Sequence, residues 1–331
     1  MRVGITYDLR SDYLAEGWSE EETAEFDSVV TIDAIAAVLA ARGWTVDRIG
    51  HVRRLAERLV AGERWDLVFN IAEGMHGIGR EAQVPALLDA WRIPYTFSDP
   101  MVLALTLDKA MTKRVVRDAG LATAPFAVVA DAADLAAVDL PFPLFVKPVA
   151  EGTGKGVTAA SRVETPEALR AACLRIVDRY RQPALVETFL PGREFTVGIV
   201  GTGRDAEAIG AMEILFGAEA EANGYSYENK EHYEGRITYR LADDAEAQEA
   251  TRLALAAWRA LGCRDGGRID IRSNPAGRPH FIEVNPLAGI NPEKSDLVIL
   301  ARMAGWSYDG LLGRILDSCL TRLGDARQAA A

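Results

Sequence analysis

Apolar positions recur along this chain at two spacings, and the alternation between them outlines its architecture. In the first hundred residues, short apolar runs at 2–6, 45–49, 66–71 and 94–97 read as strands, and stretches of helical period at 31–42 and 81–91 read as helices. Strands alternating with helices of this length predict an open parallel sheet covered on both faces. Residues 12–27 break the pattern: they hold seven acids and few aliphatics. They are expected to form a loop or loose helix over the carboxyl ends of the strands, where open α/β sheets bind ligands. From about 105 the chain reads as a basic-faced helix (106–119), strands at 126–130 and 144–147, a glycine-rich turn at 151–156 and a helix at 165–179. Beyond Pro183 it becomes strand-rich, with the runs ALVETF, EFTVGIVG, AIGAMEIL, RITYRL, RIDIR and HFIEVN, a helix at 245–261 and a closing helix pair after Ser295. The fold class is therefore α/β, with α+β character in the C-terminal half. Three domains are expected at 1–103, 104–182 and 183–331.

Composition narrows the function classes. The length of 331 residues fits two or three domains. A net charge of −11 argues against non-specific binding to nucleic acid. No run approaches the roughly 18 apolar residues of a membrane span, and the N-terminal MRVGITYDLR lacks a signal-peptide core. Cys173, Cys263 and Cys319 fit no metal spacing, so a cytoplasmic protein with inert thiols is expected. Two glycine motifs mislead. Gly154-Lys155 lacks both the first glycine and the Ser/Thr of a P-loop, and Gly77-Ile-Gly79-Arg-Glu-Ala82 does not follow the first strand as a dinucleotide fingerprint should.

Three other patterns carry chemistry. In Arg268-Ile-Asp270-Ile-Arg272 and Phe281-Ile-Glu283-Val-Asn285 the polar side chains alternate with apolar ones, so each set shares a face. Asn274-Pro-Ala-Gly277 between them is a good turn, and the hairpin would bring Asp270 opposite Glu283. Two carboxylates and an amide oxygen are hard ligands of the type Mg²⁺ takes beside phosphate oxygens; a ladder of surface salt bridges is the competing reading. Lys147 and Lys155 flank the glycine loop Glu151–Gly156, whose N–H groups could face phosphate. Glu187 and Glu194 follow an apolar strand and could accept from an adenine amine and a ribose hydroxyl, or simply be solvated at a hinge.

In order, D-K at 108–109, K-P-x-x-E-G-x-x-x-G at 147–156, V-E-x-x-L-x-G-x-E at 186–194, R-x-D at 268–270 and E-V-N at 283–285 resemble an ATP-grasp fold. More narrowly they resemble the D-alanine–D-alanine ligase family over nearly the whole chain, with further matches at 143–157, 283–289 and 304–308. The resemblance implies a three-domain ATP-grasp enzyme with an N-terminal open parallel sheet, using ATP and Mg²⁺ (two ions, with Mn²⁺ as a substitute). Lys109 and Lys147 would hold phosphates, with Glu151 in the glycine loop beside them. Glu187 and the backbone of Leu190 would read adenine, Glu194 the ribose, and Phe145 and Ile282 would pack on the base. Asp270, Glu283 and Asn285 would bind metal, and Arg268 and the Gly289 N–H would stabilise an oxyanion. Lys230 would belong to a loop closing over ATP, Ser295 would hold the carboxylate of a second substrate, and a homodimer would form through the N-terminal domain.

The departures from the family cluster at the substrate end. Val29 stands where the family's amine-binding Glu belongs, with Asp27 or Glu25 as the nearest substitutes. Glu73-Gly-Met-His-Gly-Ile-Gly-Arg80-Glu81 replaces the His-Gly motif, Thr153 replaces a serine, and Glu231 replaces the tyrosine after Lys230. The nucleotide and metal positions are intact. The reading is a carboxylate–amine ligase joining two small amino-acid-like substrates, with Asp27, Glu73, Glu231 and Ser295 facing them. D-alanyl-D-alanine synthesis, an ester-forming ligase (His232 adjoins Glu231) and a non-catalytic nucleotide-binding protein are the alternatives.

Overall fold

The computed structural model describes residues 1–217 and 237–329. The first sheet is parallel, in the order β2-β1-β3, from β1 (Arg2–Tyr7), β2 (Thr45–Gly50) and β3 (Leu67–Ile71). Every residue of β3 is buried, as a strand covered on both faces must be. One face packs on α2 (Val29–Ala41) and, from the far end of the sequence, on α10 (Tyr308–Ala329): Val3, Ile5, Ile35 and Phe69 share a core with Leu312 and Ile315. The other face carries Ile49, Trp65 and Val68 against α3 (Val52–Val60) and α4 (Gln83–Ala90).

Two antiparallel sheets follow. One has the order β4-β7-β5-β6 and consists of β4 (Phe126–Val129), β5 (Leu144–Pro148), β6 (Arg162–Val163) and β7 (Ala184–Thr188), backed by α7 (Pro166–Tyr180). The other has the order β10-β9-β8-β11-β12, with β8 (Glu194–Val200), β9 (Glu207–Phe216), β10 (Ile237–Ala242), β11 (Gly266–Ser273) and β12 (Pro279–Asn285). The helix α8 (Ala245–Leu261) lays four alanines and Trp258 against that sheet. Small residues let it sit close, and Asp244 caps it by accepting from the Glu246 and Ala247 N–H groups. No described helix is long and apolar enough to cross a membrane.

Three expectations need correction. Residues 94–97 form no strand; only Tyr95 bridges Val68, because Pro94 has no N–H to donate and Phe97 turns to a φ of 71°. The helix expected over 106–119 is two, α5 (Pro100–Leu107) and α6 (Lys109–Asp118). Asp108 between them is extended, and its carboxylate caps the Met111 N–H at 2.9 Å, so a local hydrogen bond outcompetes helical continuation. The helix over 81–91 starts as a 3₁₀ turn, Arg80–Ala82, before α4. The acidic stretch contains α1 (Arg10–Ala15) and then turns that bury Phe26.

Candidate active site

The second and third sheets face each other across a cleft of about 870 Å³. Alternation along β5 puts Phe145 and Lys147 on one face, and the β5–β7 register sets Glu187 opposite Phe145. Glu187 lies between two lysines, 2.6 Å from Lys113 Nζ and 2.9 Å from Lys147 Nζ, with all three side chains more than nine-tenths buried. Burial works to raise the Glu187 carboxyl, but Lys113 and then Lys147 outweigh it and hold it below the ordinary range. Burial pulls Lys113 down, whereas at Lys147 the neighbouring acids overcome burial and push it up. Farther out, Leu190, Ile282 and Phe189 supply apolar walls, and Glu194 is 3.3 Å from Arg272, which also stacks over Phe189 at 5.2 Å.

At the inner end of the cleft, the β11–β12 hairpin has the expected register: Asp270 pairs with Glu283, and Arg268 with Asn285. Asp270 accepts from Thr196 Oγ1 at 2.8 Å and from Arg268 at 2.5 Å. Lys109 Nζ donates to the Glu151 carbonyl at 2.5 Å and lies 3.6 Å from Glu283. No group of three or more His, Cys, Asp or Glu side chains among the described residues could hold a metal by itself. Two carboxylates and one amide, with further oxygens supplied by phosphates, are nevertheless the donor set that suits Mg²⁺, which seldom relies on an all-protein cage. The residues fit the ion.

A second cavity of about 700 Å³ shares Lys109, Glu151 and Glu283 with the cleft and adds Glu73, Thr153, Arg268, Asn285 and Gly289. A third, wider opening of about 1470 Å³ shares Arg268, Gly289 and Thr153 and reaches Asp27 and Ser295. Ser295 precedes α9 (Asp296–Met303), and its Oγ accepts the Asn291 N–H at 2.8 Å. A Cβ on Gly289 would lie 2.9 Å from that Oγ, so the backbone approaches Ser295 as closely as it does only because the residue is glycine. Burial, with Asp8 adding to it, raises Asp27 to about 7 against the opposing hydrogen bond from Thr31.

The glycine loop is tied to the acidic stretch. Glu25 accepts the Gly152 N–H at 2.6 Å and pairs with Arg80 at 2.9 Å and Lys155 at 3.4 Å. Burial opposes the charge of Glu25, but Arg80 and Lys155 prevail and lower it to about 2. A Cβ on Gly152 would sit 2.5 Å from the Glu25 carboxylate, which explains the glycine. Glu21 anchors the same stretch to α7 through the Tyr180 hydroxyl at 2.7 Å and through Arg179.

Thus Lys109, Phe145, Lys147, Glu151, Glu187, Leu190, Glu194, Asp270, Ile282 and Glu283 line the cleft. Glu73, Thr153, Arg268, Asn285 and Gly289 line the second cavity, and Asp27 and Ser295 the third. Lys230 and Glu231 lie outside the described residues. Sequence reasoning did not single out Lys113, Arg80 or Glu81 for the site, whereas Arg272, read from the sequence with Arg268 as a stabiliser of anionic charge, lines the cleft. Lys113 had a readable signal, since it stands four residues after Lys109 on one helix face.

Comparisons with known proteins point to one family. A family model described as the D-ala D-ala ligase C-terminus matches residues 115–317. A D-alanine–D-alanine ligase of Xylella fastidiosa is 35% identical over 295 residues, covering 86% of this chain and 92% of that protein. One from Herminiimonas arsenicoxydans is 32% identical over 333 residues, covering 97% and 92%. Among solved structures, the ATP complex of the Bacillus anthracis D-alanine–D-alanine ligase superposes with a TM-score of 0.73 at 21% identity, covering 98% of this chain and 99% of that one. At that identity the likeness speaks for the fold.

Proposed function

Because the chain belongs to the D-alanine–D-alanine ligase family, an ATP-dependent group of C–N bond-forming ligases, we propose that it joins two small amino-acid-like substrates into an amide through an acyl phosphate. The observation that carries this reading is the hairpin that sets Arg268, Asp270, Glu283 and Asn285 at the junction of the nucleotide cleft and the substrate cavity.

A carboxylate is a poor electrophile. In the proposed reaction, one oxygen of the first substrate's carboxylate attacks the γ-phosphorus of ATP, the bond to the β–γ bridging oxygen breaks, and ADP leaves. Lys109 and Lys147 turn from their present acid partners to the phosphates and offset the charge crowded there. Asp270, Glu283 and Asn285 would hold two Mg²⁺ (or Mn²⁺), which when bound neutralise charge on the phosphate oxygens. The free amine of the second substrate, its carboxylate held at Ser295, then attacks the acyl carbon. Arg268 and the Gly289 N–H stabilise the resulting oxyanion. Collapse re-forms the carbonyl, expels phosphate and releases the proton of the amine. Thr153, which lines both cavities, would help orient the acyl group.

Glu187 and Leu190 would read the adenine, Phe145 and Ile282 would sandwich it, Glu194 would bind ribose, and Lys230 would close over the nucleotide. We further propose that residues 104–182 form the lid domain and that residues 1–103 form the dimer contact of a cytoplasmic enzyme. The test is a matrix of amino acids of both hands with ATP and Mg²⁺, scored by phosphate release and product mass. Phosphate release should require both an acid and an amine, and Asp270→Asn should abolish it while nucleotide still binds. Turnover that never depends on any amine, or that survives Asp270→Asn, would overturn the reading.

A further inference from the structure

The cavity next to the nucleotide cleft holds more carboxyl groups than the reaction above employs. Most acids around it have a base: Glu25 has Arg80 and Lys155, Glu151 has Lys155 at 2.8 Å, and Glu283 has Lys109. Glu73 and Glu81 are different. Both line this cavity, and no hydrogen bond or ion pair reaches either carboxylate among the described residues. The obvious candidate base, Arg80, is committed elsewhere, to Glu25 and to the Ala150 carbonyl at 3.1 Å. The 3₁₀ turn Arg80–Ala82 accounts for this: it sends Arg80 to the glycine loop and leaves its neighbour Glu81 on the cavity wall.

A second observation points to a missing polar ligand in the same space. Thr153 Oγ1 and Asn285 Nδ2 are both buried without a hydrogen-bond partner, and both residues line the cavity. Buried polar groups are seldom left unpaired unless something else pairs them.

We propose that Glu73 and Glu81 form a paired-carboxylate receptor that selects, as the substrate to be phosphorylated, an amino acid carrying a second cationic group: a diamino acid. This inference rests on the ligase reading. The substrate is the phosphorylated one because this cavity, and not the one reaching Ser295, shares Lys109, Glu151 and Glu283 with the nucleotide cleft. A single α-ammonium would offset one of the two partly buried carboxylates and leave the other without a matching charge, whereas two ammonium groups match both. Burial, together with the charge of Glu81, holds Glu73 well above the ordinary carboxylate range; Arg80, and Lys109 at Glu81, pull the other way from a distance but do not offset it.

The experiment uses the full chain with ATP and Mg²⁺ and compares alanine with 2,3-diaminopropionate, 2,4-diaminobutyrate, ornithine and lysine of both hands as the activated acid. Phosphate release and product mass are followed. A diamino acid should exceed alanine of the same hand by ~100-fold or more in kcat/KM, since a site built to pair polar groups rejects an analogue lacking them. Glu73→Gln and Glu81→Gln should each cut that preference by about tenfold, chiefly through KM for the diamino acid, and Glu73→Asp should restore part of it. An ATP-induced thermal shift reports that each variant is folded, and the wild-type comparison needs no variant. Efficient condensation of alanine without a preference for diamino acids, or a preference unchanged in both Gln variants, overturns the inference and leaves the ligase reading intact. No amine-dependent turnover with any pair overturns the ligase reading, and this inference with it.

Discussion

Glu187→Gln is the sharpest test of the charge cluster in the cleft between the second and third sheets, because its consequence can be worked from the ion pairs. The carboxylate is 2.6 Å from Lys113 and 2.9 Å from Lys147, and all three side chains are almost fully buried. The amide keeps the shape and one acceptor but removes the charge that faces both ammonium groups at contact distance. Breaking a buried pair by neutralising one partner costs ~3–5 kcal/mol, because the other charge stays behind in a dry site. At roughly 2–4 °C per kcal/mol for a chain of this order of size, the melting temperature should fall by at least 6 °C. Removing the stranded lysine as well, in Glu187→Gln/Lys113→Met, should recover at least half of the loss, a non-additivity that only contacting residues give. The assay is thermal denaturation of the four proteins in the cycle without nucleotide. A Glu187→Gln melting point within about 2 °C of the parent, or single effects that simply add, would refute the reasoning.

Two other outcomes follow from the charges at the substrate end. Glu25→Gln should lower stability by ~2–4 kcal/mol in urea unfolding, since it leaves Arg80 and Lys155 facing a neutral amide at 2.9 and 3.4 Å; a change below about 0.5 kcal/mol would contradict the tie drawn between the acidic stretch and the glycine loop. Asp27 and Glu81 are both held at about 7 by burial, against ordinary values of 3.8 and 4.5. The native state therefore binds more protons than the unfolded chain between those limits, and these two groups make stability fall as pH rises from about 4 to about 8. Urea midpoints at pH 5 and pH 8 should show this loss, and Asp27→Asn with Glu81→Gln should reduce it, leaving the part that belongs to Glu73; an equal slope in the double variant would sink the assignment.

Much of this architecture was legible in the sequence because periodicity reports burial directly. The alternation in Arg268–Arg272 and Phe281–Asn285, with a good turn between, was enough to anticipate the pairing of Asp270 with Glu283. Local chemistry stronger than periodicity was harder to read: Asp108 splits one apparent helix by capping the next, and Phe97 turns a strand-like run aside. Least legible were encounters between distant segments. Glu25 meets Gly152 and Lys155 across more than 120 residues, and Glu73 and Glu81 come to face the same space as Arg268 and Asn285. Residues 12–27 have no period because they are held at points, by Glu21 and Glu25, rather than along a face.

The central claim is that a substrate carboxylate attacks the γ-phosphorus before any amide forms. Oxygen transfer tests it most directly: the first substrate is labelled with ¹⁸O in both carboxylate oxygens, turned over with ATP, Mg²⁺ and the second substrate, and the released phosphate is analysed by mass. The account predicts one ¹⁸O in each phosphate and one retained in the amide carbonyl. Phosphate free of label, with product still formed, would contradict it.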